Sequence, residues 1–226
     1  MPLPAGLPDA SVILYLHGFA SSPQSTKAKY FAARFGEHGI GVGCPDFNQP
    51  DFSTLTITRM LDQLDRAIDA AGGDRSAPVP LIGSSLGGML AVLAAERFGS
   101  RVGPLVLMAP AVMFAKPGHH LLTPERLAEW RRQGSAPFFH YADNAERRLD
   151  FAFYEDSVRY DAFEARFLQP ALIFQGLHDT SVDHRTVEAF AAVRTNATLT
   201  LLDDDHQLTA SLPRMWHDTA AFLGVA

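Results

Sequence analysis

Two hydrophobic rhythms take turns along this chain. Apolar runs of strand length, several of them rich in β-branched residues, fall at Ser11–Leu16, Ile40–Cys44, Val79–Ile82, Leu105–Ala109, Ala171–Gln175 and Ala197–Leu202. Between them, apolar residues recur at helical spacing. Ser25 is placed to cap a helix to about His38, in which Tyr30, Phe31, Ala33 and Phe35 sit among charged residues and which Gly39 stops. Asp51 or Ser53 is placed to cap a second, reaching Ala71, with Ile57, Met60, Leu61, Leu64 and Ile68 on one face and Gly72-Gly73 after it. Leu86–Phe98 is apolar almost all round, as a helix buried against a sheet must be. His184–Val193 and Leu208–Leu223 are the last two helices, and the proline-rich stretch Met1–Ala10 is a loose lead-in. Alternating strands and helices predict an α/β fold, a mostly parallel sheet flanked by helices on both faces, as one domain over residues 1–226.

The rhythm fails from Ala111 to about Arg166. This stretch has no strand pattern, is broken by Pro117, Gly118, Pro124, Gly134 and Pro137, and is dense in aromatics such as Phe114, Trp130, Phe138, Phe153 and Tyr154. A structureless connection of that length does not suit a compact domain. Residues 111–166 are therefore expected to form a helical lid inserted into the domain and lying over its site.

Composition narrows the partners. Of 226 residues, 47% are hydrophobic, enough for a full core, and the net charge of −6 comes with no long basic run, which argues against nucleic acid or an anionic membrane surface. No apolar run approaches the ~18 residues of a membrane span. Met1–Ala10 lacks the basic start and apolar core of a secretion signal, so the expected location is the cytoplasm. One cysteine, Cys44, rules out an internal disulfide and a cysteine-based metal cluster, and beside Pro45 it reads as a small buried residue.

The chemistry is carried by Gly83-Ser84-Ser85-Leu86-Gly87, which sits between a strand run and a helix run. Only Ser85 has glycine two positions away on both sides, which makes it, and not Ser84, the serine of a strand–turn–helix elbow. Such a turn exposes a hydroxyl at a helix N-terminus, where free N–H groups favour negative charge. In a parallel sheet the loops after Leu16, Ile82, Gln175 and Leu202 share the carboxyl edge, where ligands bind. They supply Ser85 as nucleophile, Asp179 to orient an imidazole, and His206 as base, in the chain order Ser, Asp, His. The backbone N–H groups of Phe19 and Leu86 are the expected oxyanion donors, with Gly18 allowing close approach. Asp183 competes with Asp179 but reads better as a helix cap; Asp203, Asp204 and Asp205 read as a solvated turn and not as metal ligands; His17 reads as a brace for its loop, His178 as a spectator, and His119-His120 as a surface turn.

Leu14-Tyr15-Leu16-His17-Gly18-Phe19, Ser21-Ser22-Pro23, Lys27-Ala28, the Ser85 elbow, Gly176-Leu177-His178-Asp179 and Asp205-His206 together resemble the α/β-hydrolases, in particular the small bacterial YqiA-like esterases. The resemblance implies an α/β-hydrolase fold, no metal or organic cofactor, and hydrolysis of a carboxylic ester or thioester of a small acyl substrate. Peptidase, lactonase, carbon–carbon hydrolase and perhydrolase chemistry use the same three residues. A non-catalytic binding module is the alternative of another class.

Overall fold

The computed structural model describes residues 12–72, 77–116 and 122–225. The expectations for Met1–Ala10, Ser11, Gly73, Pro117, Gly118 and His119-His120 lie outside these residues. Strands β1 (Val12–Leu16), β2 (Gly41–Gly43), β3 (Val79–Ser84), β4 (Val102–Met108), β7 (Ala171–Gly176) and β8 (Ala197–Leu202) form one parallel sheet in the order β2-β1-β3-β4-β7-β8. In register, Tyr15 faces Ile82, Ile82 faces Val106, and Leu107 faces Ile173. Chain direction across the sheet reverses between β1 and β3, so the loops that follow these two strands border the crevice where open α/β sheets take ligands.

Each face of the sheet has its own core. Helices α1 (Thr26–Gly36) and α7 (Leu212–Leu223) bury Phe31, Phe35, Met215 and Trp216 against Ile13, Tyr15 and Phe174. Helices α2 (Ile57–Ala71), α3 (Leu86–Phe98) and α6 (His184–Ala192) cover the other face, with Leu61, Leu64, Leu90 and Phe190 against Leu14, Leu81 and Leu105. Helix α3 is buried from Leu86 to Ala95, which explains its all-round apolar sequence. Ser25 and Asp183 cap α1 and α6 through side-chain oxygens that accept from Ala28 N–H and Arg185 N–H.

Two expectations need correction. Helix α2 is capped by Thr56, whose hydroxyl accepts from Arg59 N–H, while Asp51 caps a separate 3₁₀ turn at Phe52–Thr54. The stretch Ala111–Arg166 is not helical throughout: between α4 (Pro124–Gln133) and α5 (Ala152–Ser157) lies an antiparallel hairpin of β5 (Ser135–His140) and β6 (Ala145–Asp150). In β6 residues 145–148 are exposed, and in β5 the outward Pro137 and Phe139 are as apolar as the inward Ala136 and Phe138, so neither strand's sequence carries the apolar–polar alternation of a sheet packed on a core.

In the inserted segment Trp130 packs against Phe138 and Phe151, and these aromatics are continuous with the core on the α2–α3 face of the sheet. Phe138 and Phe153 pack on Phe19, and Tyr141 N–H donates to Ala20 carbonyl. Asp156, buried, accepts from the backbone N–H and hydroxyl of Thr58 at 2.8 and 2.6 Å, and so satisfies an open donor in the first turn of α2. Replacing Asp156 with Ala leaves that donor and the Thr58–Tyr160 hydroxyl pair without their charged partner. The expected cost is about 1–3 kcal/mol, read as a lower urea midpoint. A midpoint equal to wild type would mean the segment docks without this contact.

Candidate active site

Ser85 is the pivot between β3 and α3. Its backbone sits at φ 54° and ψ −115°, a strained conformation for a residue with a side chain. The turn is held by Ser85 N–H donating to Met108 carbonyl and by Ser85 carbonyl accepting from Gly88, Met89 and Ala111. Glycine is required on both sides for steric reasons. A Cβ at Gly83 would collide with the Gly87 carbonyl, and one at Gly87 with the Leu16 carbonyl. At Gly18 a Cβ would lie 3.4 Å from Ser85 Cβ, so the loop after β1 passes directly beside the elbow.

Three residues far apart in the chain meet here. Ser85 Oγ lies 3.1 Å from His206 Nε2, and His206 Nδ1 lies 2.8 Å from Asp179 Oδ2. Asp179 is buried and fully engaged: Oδ1 accepts from the backbone N–H of Ser181 and Val182, and Oδ2 accepts from His206 and from the Gln175 amide. Burial alone would raise its pKa, but the hydrogen bonds from His206, Val182 and Ser181 outweigh it and hold the carboxyl below its ordinary value. Because Asp179 is an acceptor, Nδ1 of His206 carries the proton and Nε2 is left to accept from Ser85.

The backbone N–H groups of Phe19 and Leu86 have no acceptor among the described residues. Both belong to residues that border Ser85, one on the loop packed against it and one at the start of α3. Of the other candidates, Asp183 is only a cap. His17 accepts from Phe47 N–H at Nε2 and bonds Gly18 carbonyl through Nδ1, which braces its loop. His178 pairs with Asp203 on the surface. Asp204 and Asp205 accept from nearby backbone N–H groups, and no group of three or more His, Cys, Asp or Glu among the described residues is placed to hold a metal ion. Burial pushes the Cys44 thiol up to about 12, which disfavours the reactive thiolate.

Sequence reasoning gave no structural role to two residues of this neighbourhood. Gln175, the next-to-last residue of β7, is fully buried, and its amide N–H groups bridge Asp179 Oδ2 and the Val182 carbonyl. Its signal is a lone polar residue closing an apolar strand four positions before the aspartate. Lys27 reads as part of the polar face of α1 yet is buried beside the His206 loop. The serine opens onto a cavity of about 1100 Å³ whose lining includes Phe114, Trp130, Phe138 and Phe153 as well as Gln24, Ser25 and Lys27.

A family model described as an uncharacterised protein family, UPF0227, matches residues 12–223. The chain belongs to UPF0227. That match spans every element of the UPF0227 sheet and all the residues assembled around Ser85. No curated protein sequence matches the chain. Among solved structures, this UPF0227 protein is similar to Est1E from Butyrivibrio proteoclasticus with ferulic acid bound, at 20% identity and a TM-score of 0.82, covering 96% of this chain and 89% of that one. It is also similar to the mouse alpha/beta hydrolase domain-containing protein 10, at 19% identity and TM-score 0.78 over 94% and 89% of the two chains. A third likeness is to the monoacylglycerol lipase of Paleococcus ferrophilus, at 16% identity and TM-score 0.75 over 96% and 95%. At these identities the likeness establishes the α/β-hydrolase fold. Among the described residues no helix is long and apolar enough to cross a membrane.

Proposed function

We propose that this protein is a serine hydrolase that cleaves a carboxylic ester or thioester of a small molecule through an acyl-enzyme on Ser85. The observation that carries this is the unbroken hydrogen-bonded path from Ser85 Oγ through His206 to Asp179. On this reading Ser85 Oγ attacks the substrate carbonyl carbon as Nε2 of His206 takes its proton, and Asp179 stabilises the imidazolium. The carbonyl oxygen becomes an oxyanion beside the Phe19 and Leu86 N–H groups. His206 then passes its proton to the departing alcohol oxygen or thiol sulfur, which leaves the acyl group on Ser85. A water molecule, deprotonated by His206, attacks the acyl carbon. The carboxylic acid leaves, and the proton returns to Ser85 Oγ.

We read residues 111–166 as a lid within a single hydrolase domain. Its aromatics contribute to the lining of the cavity, which suits an alkyl or aryl acyl group. That Est1E has been solved with ferulic acid bound is in keeping with an aryl acyl group. The test is a panel of p-nitrophenyl esters and matched acyl thioesters of increasing chain length, with a fluorophosphonate probe of Ser85. The expected result is stoichiometric labelling together with release of product from at least one acyl class. A folded protein that is neither labelled nor active on any member would favour the binding-module reading.

A further inference from the structure

Lys27 has a position no general feature of an amphipathic helix explains. It lies in the first turn of α1, and its side chain runs inward and is 9% exposed. Its Nζ donates to the carbonyl of Gln207 at 2.6 Å, a short charge-assisted hydrogen bond to the residue that follows His206. The two residues are 180 positions apart, so the contact ties α1 to the loop that carries the imidazole.

That loop needs holding. His206 itself is partly exposed. Beyond its ring's bonds to Asp179 and Ser85 and two contacts with His178, the loop's other hydrogen bonds among the described residues are short-range ones of Asp204, Asp205 and Gln207. Its other flank rests on Gly176, where a Cβ would lie 2.5 Å from the Asp204 carbonyl and 2.6 Å from that of Asp205. The loop is thus gripped from the β7 side by close backbone packing and from the α1 side by the Lys27 ammonium.

We infer that Lys27 is a positioning residue, which sets the imidazole of His206 between Ser85 and Asp179 by fixing the Gln207 carbonyl. This rests on the hydrolase reading for its kinetic consequence but not for its geometry. The electrostatics accord with it. Burial lowers the Lys27 pKa to about 8, against the pull of Asp205 and Asp204 from the same loop and of Asp179 from the loop after β7. An ammonium is kept in a desolvated place with carboxylates around it, where one of its protons has a fixed acceptor. The Tyr15 phenol and the Ser84 and Ser25 hydroxyls also line the cavity and add no further charge, since burial pushes the phenol well above its ordinary value.

The experiment compares Lys27→Met, an unbranched apolar chain, with Lys27→Arg, which retains a cationic donor. In wild type, the Nδ1 proton of His206 should give a resolved low-field NMR signal; Lys27→Met should lose it to exchange with water, and Lys27→Arg should keep it. On the best ester of the panel, kcat should fall ten- to a hundredfold in Lys27→Met with KM within twofold, and fluorophosphonate labelling of Ser85 should slow by the same factor. Lys27→Arg should recover most of both. If Lys27→Met changes KM alone, Lys27 touches substrate and the inference fails. It also fails if signal and kcat are both unchanged. Should Lys27→Met not fold, Lys27→Gln, a neutral donor with shorter reach, takes its place: loss of the same proton signal supports the inference, and an unchanged signal with unchanged kcat overturns it. The proton signal is read without substrate, so it judges Lys27 even if no ester is turned over, and that second failure would count against the hydrolase reading alone.

Discussion

Ser85→Ala should abolish hydrolysis, with kcat on the best ester falling on the order of 10⁴–10⁶-fold, and should remove fluorophosphonate labelling entirely. The structure gives a reason to expect a clean result. The positive φ at position 85 is already borne by a residue with a Cβ, so alanine adds no strain. The hydroxyl makes one hydrogen bond, to His206 Nε2, and the turn is held by backbone groups that the substitution leaves alone. Circular dichroism and the urea midpoint should therefore match wild type. Turnover above about one per cent of wild type in the folded variant would remove Ser85 from the chemistry.

Asp179→Asn should be nearly as damaging, slowing kcat by about 10³–10⁴-fold, through the tautomer of His206. An asparagine has one acceptor where the aspartate has two. The Oδ1 position faces the N–H groups of Ser181 and Val182, so the amide oxygen must go there and the NH₂ must point at His206. The imidazole is then forced to accept at Nδ1 and to carry its proton on Nε2, where it no longer receives one from Ser85. Gln175 compounds the effect, since its own amide N–H also points at that position. Asp183→Asn is the control: the residue lines the cavity, but among the described residues its carboxylate hydrogen-bonds Arg185 N–H and not His206, and activity should stay within about tenfold. If the two variants exchange behaviours, the carboxylate that orients His206 has been misassigned.

The order of strands and helices was legible because each element carries its period in its own residues. The bounds Leu86–Phe98 and Ala197–Leu202 read from sequence are those observed. The Ser85 elbow was legible for a steric reason, since the glycines on either side report backbone contacts that no other residue permits. Thr56 was not, because three capping residue types precede α2 and only the fold decides that Asp51 serves the 3₁₀ turn instead. The hairpin was hidden by its exposure: Glu146, Arg147 and Arg148 are good helix formers, and what makes them a strand is pairing with Ser135–His140 and contact with the body. Lys27 and Gln175 escaped for the opposite reason. Both are polar residues whose burial follows from partners distant in space, which periodicity does not record.

The chain leaves the sheet after β4 and re-enters it at β7, and these two strands pair side by side, Leu105 with Ala171 through Met108 with Phe174. No ladder is interrupted by the whole excursion between them. Ser85, Asp179 and His206 all lie outside it, whereas the aromatics Phe114, Trp130, Phe138 and Phe153 that line the chamber lie within it. On the hydrolase reading, a designer could transplant a different excursion between β4 and β7, keeping its contacts to Phe19, Ala20 and Thr58, and alter the acyl side of the chamber while leaving Ser85, Asp179 and His206 in place.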